Sequence, residues 1–344
     1  MKIKSFFIIL SVLALLLCGC AEKDVYVESS FVAMDTIINI KVSEGEYDES
    51  AIISECEAML SDIESIISAT AEGSETSIAN TDIDMLLDVS PVFIEILQIS
   101  LSSSELTEGT FDITVGSLKE LWEKCSAEGK EPTEDDIKTA LENVGYDKLT
   151  LKENSLYKDF KETKLDFGAI GKGYAAERIT DLLEDRGVSG AILSLGGNVA
   201  LVGSKQNRKP YKVGVKDPEN TNDVVGYLSL DGGFVSVSGD YERYIEIGDN
   251  RYNHIIDPRT GYPADSGLHS VSVISEDGAL ADVLSTALFV MGKDEAIEFY
   301  NSGVCDFEAV FVTDDGVFVT DGLEGRYTPK KGESFTTVGE KALR

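Results

Sequence analysis

YKVGVKDPENTNDVVGYLSLDGGFVSVSG, residues 211–239, is a series of β-branched and aromatic runs separated only by turn residues. Strand-like runs of this kind dominate from Tyr211 to Ser275, broken by Lys216-Asp217-Pro218, by Asp231-Gly232-Gly233 and by a His254 to Gly261 turn. A helix from Ala279 to Met291, a second from Asp294 to Tyr300 and a hairpin turning at Asp314-Asp315-Gly316 follow this block. Strands and helices therefore come in blocks, not in strict alternation. That order predicts an α+β fold instead of a doubly wound parallel sheet.

The chain before this block fits the same class. Val25 to Val42 alternates as one or two strands interrupted by Met34-Asp35-Thr36. Tyr47 to Ile67 repeats apolar residues at helical spacing: Ile52, Cys56, Met59, Ile63, Ile66 and Ile67. Ser68 to Asp82 reads as a polar loop, and a helix opens at Ser90-Pro91, with Ser as cap and Pro in the first turn. Glu108 to Gly116 is a glycine-bounded loop or short strand leading to a helical Leu118–Trp122. Thr133 with Asp136 opens a helix ending near Gly145, Ile170 to Arg186 is another, and Ala191 to Val202 forms two strands around Gly196-Gly197-Asn198.

Composition narrows the function. With 62 acidic and 30 basic side chains the formal charge is -32, which excludes nucleic acid as a partner by repulsion. Any anionic ligand must be held locally, by amides, a few placed cations or a divalent metal. Lys2 and Lys4, an apolar run from Phe6 to Leu17 and Leu17-Cys18-Gly19-Cys20 read as a lipoprotein signal. The expected organisation is a signal peptide over 1–19 and one domain over 20–344, lipid-anchored through Cys20 outside a bacterial cell membrane. The alternative is an uncleaved N-terminal anchor. Cys56, Cys125 and Cys305 have neither disulfide-framework nor zinc spacing and read as small buried apolar residues.

Four short stretches carry chemistry. Asp282 and Thr286, four apart on a helix, present oxygens to one point, a donor set suited to Mg²⁺ or Ca²⁺. The bland reading is a capping Asp and a Thr bonded into its own helix. Asp166 to Gly173 (DFGAIGKG) resembles a phosphate loop but lacks Walker A order, since Asp166 holds the first glycine position and Gly173 follows the lysine. Its exposed amides, the Ala169 carbonyl and Lys172 can still serve a diphosphate, or form only a helix N-terminus with a surface lysine. His254 stands beside a Pro/Gly turn, as a proton acceptor or as a structural histidine, with Asp257 to orient it or to cap the turn. Ser238 to Tyr244 adds a hydroxyl, a carboxylate and Arg243, as a ligand contact or a plain β-turn.

Met34-Asp35-Thr36, Gly109-Thr110-Phe111-Asp112, Leu121-Trp122, Asp166 to Gly173, Gly196-Gly197-Asn198, Ser238 to Tyr241, His254 to Gly261 and Ala281-Asp282 to Thr286 occur in the order of the ApbE family. The chain resembles these FAD:protein FMN transferases over nearly its whole length after the signal. The resemblance implies a T-fold-related α+β architecture of mixed or antiparallel sheets with packed helices. It also implies FAD bound as substrate, and Mg²⁺-dependent transfer of FMN to a Thr or Ser of a partner protein with release of AMP. The metal ligands it implies are the Ala169 carbonyl, Asp282 and Thr286. Its flavin and adenine contacts fall on Met34, Thr110, Phe111, Asp112, Asp166, Lys172 and, by spacing, Ile256. His254 is the expected base, and the expected acceptor is an extracytoplasmic redox subunit.

The chain departs from the family at Ser68-Ala69-Thr70-Ala71, which has no aromatic residue where many members stack one on the flavin. The runner-up is therefore a Mg²⁺-dependent FAD pyrophosphatase giving FMN and AMP. A third possibility is a non-catalytic flavin-binding lipoprotein.

Overall fold

Tyr26–Ala33 (β1) and Thr36–Ser43 (β2) form a hairpin whose two-residue turn, Met34-Asp35, is left-handed at both positions, with φ of 50° and 58°. Such a turn matches the twist of paired strands. The computed structural model describes residues 25–340 apart from 82, 206–208 and 242, so the signal segment, Cys20 and Glu242 lie outside the described residues. Glu49–Ile67 (α1) follows, capped by Asp48, whose side chain accepts the Ala51 amide at 3.0 Å. Its buried face is Ile52, Ile53, Cys56, Leu60, Ile63 and Ile67; the expected Met59 and Ile66 sit at its margin.

The Ser68 to Asp82 stretch is not all loop: Ser74 caps a short helix, Glu75–Ala79 (α2), by accepting the Ser77 amide. Its seryl and threonyl side chains bond their own backbone, which disguises a helix start as a polar loop. Met85–Leu86 (β3), Pro91–Leu106 (α3), Gly116–Glu128 (α4) and Glu134–Leu141 (α5) come next. The last of these has the reciprocal Thr133/Asp136 capping box but stops short of Gly145, because Asn143 and Val144 donate only three residues back. Leu149–Lys152 (β4) and Ser155–Lys158 (β5) complete a small sheet with β3.

Gly171–Asp185 (α6) leads to Gly190–Leu195 (β6) and Asn198–Gly203 (β7). Residues 211–275 supply Tyr211–Lys216 (β8), Val224–Leu230 (β9), Gly233–Gly239 (β10), Tyr244–Ile247 (β11), Asn250–Asn253 (β12) and Ser270–Ser275 (β13). The chain closes with Gly278–Met291 (α7), Lys293–Ser302 (α8), Glu308–Thr313 (β14), Gly316–Thr320 (β15), Tyr327–Pro329 (β16) and Phe335–Val338 (β17).

These strands build a nine-stranded sheet in the order β1-β2-β6-β7-β10-β13-β14-β15-β17, antiparallel throughout except for β15 and β17. The fold is α+β with a large mixed sheet and packed helices. β13 is buried along its whole length because both faces of the sheet are covered. Val271 and Val273 meet the helical side, where Tyr174, Ile179, Leu284 and Leu288 pack. Ile274 joins Val235 and Val310 against Tyr211, Leu228 and Leu230 of a three-stranded sheet, β16-β9-β8. A third cluster joins Leu118 and Trp122 to Ile137, Ile247 and Ile256, and Trp122 Nε1 donates to the Gly261 carbonyl at 2.9 Å. That bond pins the His254 to Gly261 turn against α4. Cys56 and Cys125 are buried as expected, whereas Cys305 is only partly buried.

Candidate active site

α6 and α7 meet at their N-terminal ends through two glycines. A Cβ on Gly173 would lie 2.2 Å from the Gly278 carbonyl oxygen and 2.5 Å from Asp282 Cβ, so only glycine permits this approach. The approach lets the Gly173 amide donate to Asp282 Oδ2 at 2.8 Å. In a regular helix start that amide would serve the carbonyl four residues back, Ala169. Among the described residues no backbone amide outside the regular elements donates to Ala169, whose carbonyl keeps its acceptor capacity at the cleft wall.

Asp282 is 4% exposed. Its Oδ1 accepts from Asn198 Nδ2 at 3.0 Å and Ser236 Oγ at 3.1 Å. All three donors to the carboxylate are neutral, and among the described residues no Lys, Arg or His forms an ion pair with it. Three of roughly four carboxylate lone-pair positions are then filled by the protein. Thr286, one turn on, sits with its Oγ1 3.4 Å from Ser238 Oγ. A buried carboxylate without a cation, a hydroxyl and an undonated carbonyl, on three residues that line one cleft, make a donor set fit for a small hard cation. Among the described residues no group of three His, Cys, Asp or Glu could hold a metal, so any ion here would rest on this mixed oxygen set.

The cleft holds about 780 Å³, within the range of small-molecule sites. Met34, Thr110, Phe111, Asp112, Asp166, Ala169, Lys172, His254, Ile256, Asp282 and Thr286 all line it. Met34 is fixed by its amide, which donates to Glu64 Oε1 at 2.9 Å. Thr110 Oγ1 donates to the Thr107 carbonyl, and Phe111 is buried. The Asp112 carboxylate accepts from the Thr114 amide and hydroxyl and from the Tyr146 amide at 2.7–2.8 Å, so it pins its own loop. Burial pushes its pKa upward against those bonds.

Asp166 pairs with Lys119 Nζ at 2.6 Å and accepts the Gly168 amide at 2.8 Å. Burial alone would raise its pKa, but Lys119, that amide and Lys172 outweigh it and hold the carboxyl below its usual range. Lys172 Nζ donates to the Gly168 carbonyl at 3.1 Å, across the mouth of the loop.

The reading of Asp257 as the residue that orients His254 needs correction. Its carboxylate accepts the Arg259 amide at 2.8 Å and pairs with the Arg259 guanidinium at 3.1 Å, so it caps the turn and does not line the cleft. His254 is oriented instead by the Arg243 carbonyl, 3.0 Å from Nδ1. Since a carbonyl can only accept, Nδ1 carries the proton and Nε2 keeps its lone pair. Burial above all, then the charges of Lys119, Arg243 and Lys172, depress the His254 pKa to about 4. The imidazole is neutral at physiological pH.

This depression has a sign that can be measured. Between its ordinary value and about 4 the unfolded chain binds a proton that the folded chain does not, so stability from this group is complete above about pH 6.5 and is lost as pH falls toward 4. His254→Asn is expected to flatten the pH dependence of denaturant midpoints by ~1–3 kcal/mol across that window. An unchanged slope would contradict a neutral imidazole with a depressed pKa.

Sequence reasoning assigned no role to Lys119, whose partner is 47 positions away; only the fold joins them. Nor did it see that Asn198 and Ser236 hold the Asp282 carboxylate, or that Arg243 donates to the Asp35 carbonyl at 3.0 Å while its own carbonyl serves His254.

Fold and site together define a mostly antiparallel sheet with an oxygen-lined cleft at the junction of two helices. The chain belongs to the ApbE family, whose sequence model matches residues 34–311. It is 30% identical over 332 residues to the FAD:protein FMN transferase of Haemophilus influenzae, covering 91% of this chain and 94% of that one. With the FAD:protein FMN transferase of Vibrio cholerae identity is 29%, over 88% and 92% of the two chains. The crystal structure of the ApbE protein of Thermotoga maritima superposes with a TM-score of 0.80 at 33% identity, over 88% of this chain and 99% of that one. For the flavin transferase ApbE of Vibrio cholerae the TM-score is 0.77 at 25% identity, over 88% and 100%.

Proposed function

We propose that this chain is an FAD:protein FMN transferase that uses Mg²⁺, held by Asp282, Thr286 and the Ala169 carbonyl, to move FMN from FAD onto a Thr or Ser of another protein. Kinship to transferases across nearly the whole chain supports the reaction class. The observation that carries the assignment to this site is the single cleft in which the oxygen donors, Lys172 and a neutral imidazole converge.

Met34, Thr110, Phe111, Asp112, Asp166, Lys172 and Ile256 bind and orient the FAD, with the cations offsetting the diphosphate charge in an otherwise strongly acidic protein. Bound Mg²⁺ supplies Lewis-acid neutralisation of phosphoryl oxygens. The acceptor hydroxyl gives its proton to His254 Nε2, and its oxygen bonds to the FMN phosphorus. The bond from that phosphorus to the bridging oxygen breaks, and AMP leaves with the bridging oxygen. Lys172 lies in the same cleft, where its ammonium offsets charge on the departing phosphate.

The same reading places the protein outside a bacterial cell membrane, lipid-anchored through Cys20, with an extracytoplasmic redox subunit as acceptor. No described helix is long and apolar enough to cross a membrane. A second reading, an FAD pyrophosphatase, draws on the rim at Ser68, Ala69 and Thr70, which offers no ring to cover the flavin and exclude water.

Chromatography of the small-molecule products separates the two, using the full chain, FAD, Mg²⁺ and a Thr-bearing flavin-acceptor domain. Transfer predicts AMP rising without free FMN. Equimolar free FMN and AMP, whether or not acceptor is added, would replace the transferase with the pyrophosphatase. FAD left intact with every acceptor tried would leave only a flavin-binding protein.

A further inference from the structure

Val32 and Ile37 are the most exposed large apolar residues described, at 76% and 70%. They are partners across the β1–β2 ladder, so their side chains stand side by side on one face. The residues on the opposite face behave differently: Phe31 and Ala33 pack toward the core, and Ile38 is fully buried. Along the outward face the apolar pair is confined to the turn end. The next pair away is Ser30 and Asn39, and the one after is Glu28 and Lys41, an ion pair at 3.1 Å to which Asn39 also donates. Two exposed apolar side chains at the end of an otherwise polar hairpin face are therefore a local feature of the tip.

That tip is the cleft rim. Met34, Asp35 and Thr36, the residues between Val32 and Ile37 that include the turn, line the cleft. Two bonds hold the turn against the site: the Met34 amide to Glu64, and Arg243 to the Asp35 carbonyl. β1 is also the edge strand of the nine-stranded sheet, with no strand on its outer side among the described residues. The covering three-stranded sheet packs on Ile192, Val199 and Val237 further in and does not include the hairpin tip among its contacts.

The geometry points to Val32 and Ile37 as the docking surface for the acceptor polypeptide, which lays an extended segment with an apolar side chain beside its Thr or Ser over the hairpin tip. This rests on the transferase reading, since only that reaction requires a second polypeptide to deliver a hydroxyl into the cleft. The surface is continuous with the place where that hydroxyl must arrive, it is apolar only at that end, and a sheet edge can pair with an extended chain. Small-molecule chemistry on FAD has no use for it.

The test uses the full chain carrying Val32→Glu with Ile37→Lys, which repeats across the same two strands the Glu28–Lys41 pair already present. Neither residue lines the cleft, so FAD affinity is expected to be unchanged. The Michaelis constant for the acceptor domain is expected to rise about tenfold or more, with kcat kept, as for loss of an apolar anchor at an interface. Val32→Thr with Ile37→Thr, which retains β-branching, is expected to give an intermediate rise. Wild-type kinetics toward the acceptor in both variants would overturn the docking surface while leaving the transferase intact. Unchanged transfer with loss of a dimer in sedimentation, or of binding to phospholipid vesicles, would assign the tip to a second copy or to a lipid surface and equally overturn it. No transfer by the unaltered chain would remove the transferase reading itself.

Discussion

Asp282→Asn is expected to lower the rate of AMP release by about 10²–10³-fold, with FAD affinity changed far less. The substitution keeps size and shape, and an amide oxygen can still accept the Gly173 amide now bound at 2.8 Å. What goes is the negative charge, and with it the acceptor that Oδ1 offers to Asn198 Nδ2 and Ser236 Oγ, in a site where both partners are neutral and the residue is 4% exposed. A carboxylate in such surroundings is costly unless a cation joins it, and the Asn variant removes the reason for a cation to bind. The check is AMP formation against Mg²⁺ concentration: the unaltered chain should saturate, and the variant should need far more metal or fail to respond. Equal rates and equal metal dependence would remove Asp282 from the ion site and favour its bland role as a link between α6 and α7.

Gly173→Ala is expected to cost ~3 kcal/mol or more of stability, and to abolish transfer in whatever fraction remains folded. The added methyl would sit 2.2 Å from the Gly278 carbonyl and 2.5 Å from Asp282 Cβ, and neither neighbour is the end of a flexible side chain. Relief requires the helices to part, which breaks the amide bond that aims Asp282 and alters the Ala169 carbonyl beside it. Gly187→Ala is the control: its φ is +71° but nothing lies within 4 Å of the added atom, so only the left-handed backbone penalty of ~1 kcal/mol applies. Urea denaturation of the two variants reads the difference directly; equal costs would mean that the glycine contact between α6 and α7 yields easily.

The residues that decide these outcomes were legible to different degrees. Asp282 and Thr286 could be paired from sequence because four residues is one helical turn, and α7 is helical there. Ser90-Pro91, Thr133/Asp136 and Met34-Asp35 marked their boundaries for the same reason: caps and turns are local chemistry. What failed was non-local or ambiguous. Asp257 beside His254 invited a catalytic pairing, but an arginine two residues on captured the carboxylate. Lys119 looked like one polar position of α4 until the fold set it against Asp166. Ser74 was lost in a run of small polar residues whose hydroxyls serve helix and loop alike. The strand order, with β13 in the sheet's interior between both layers, follows from pairing that no window of sequence contains.

The central claim is that FMN ends up on another protein. Intact mass spectrometry of the Thr-bearing acceptor domain, after incubation with the full chain, FAD and Mg²⁺, measures that fate directly. The account predicts a gain of one FMN per acceptor, matched by AMP and lost when the acceptor threonine is replaced by alanine. An acceptor of unchanged mass while AMP accumulates would contradict it.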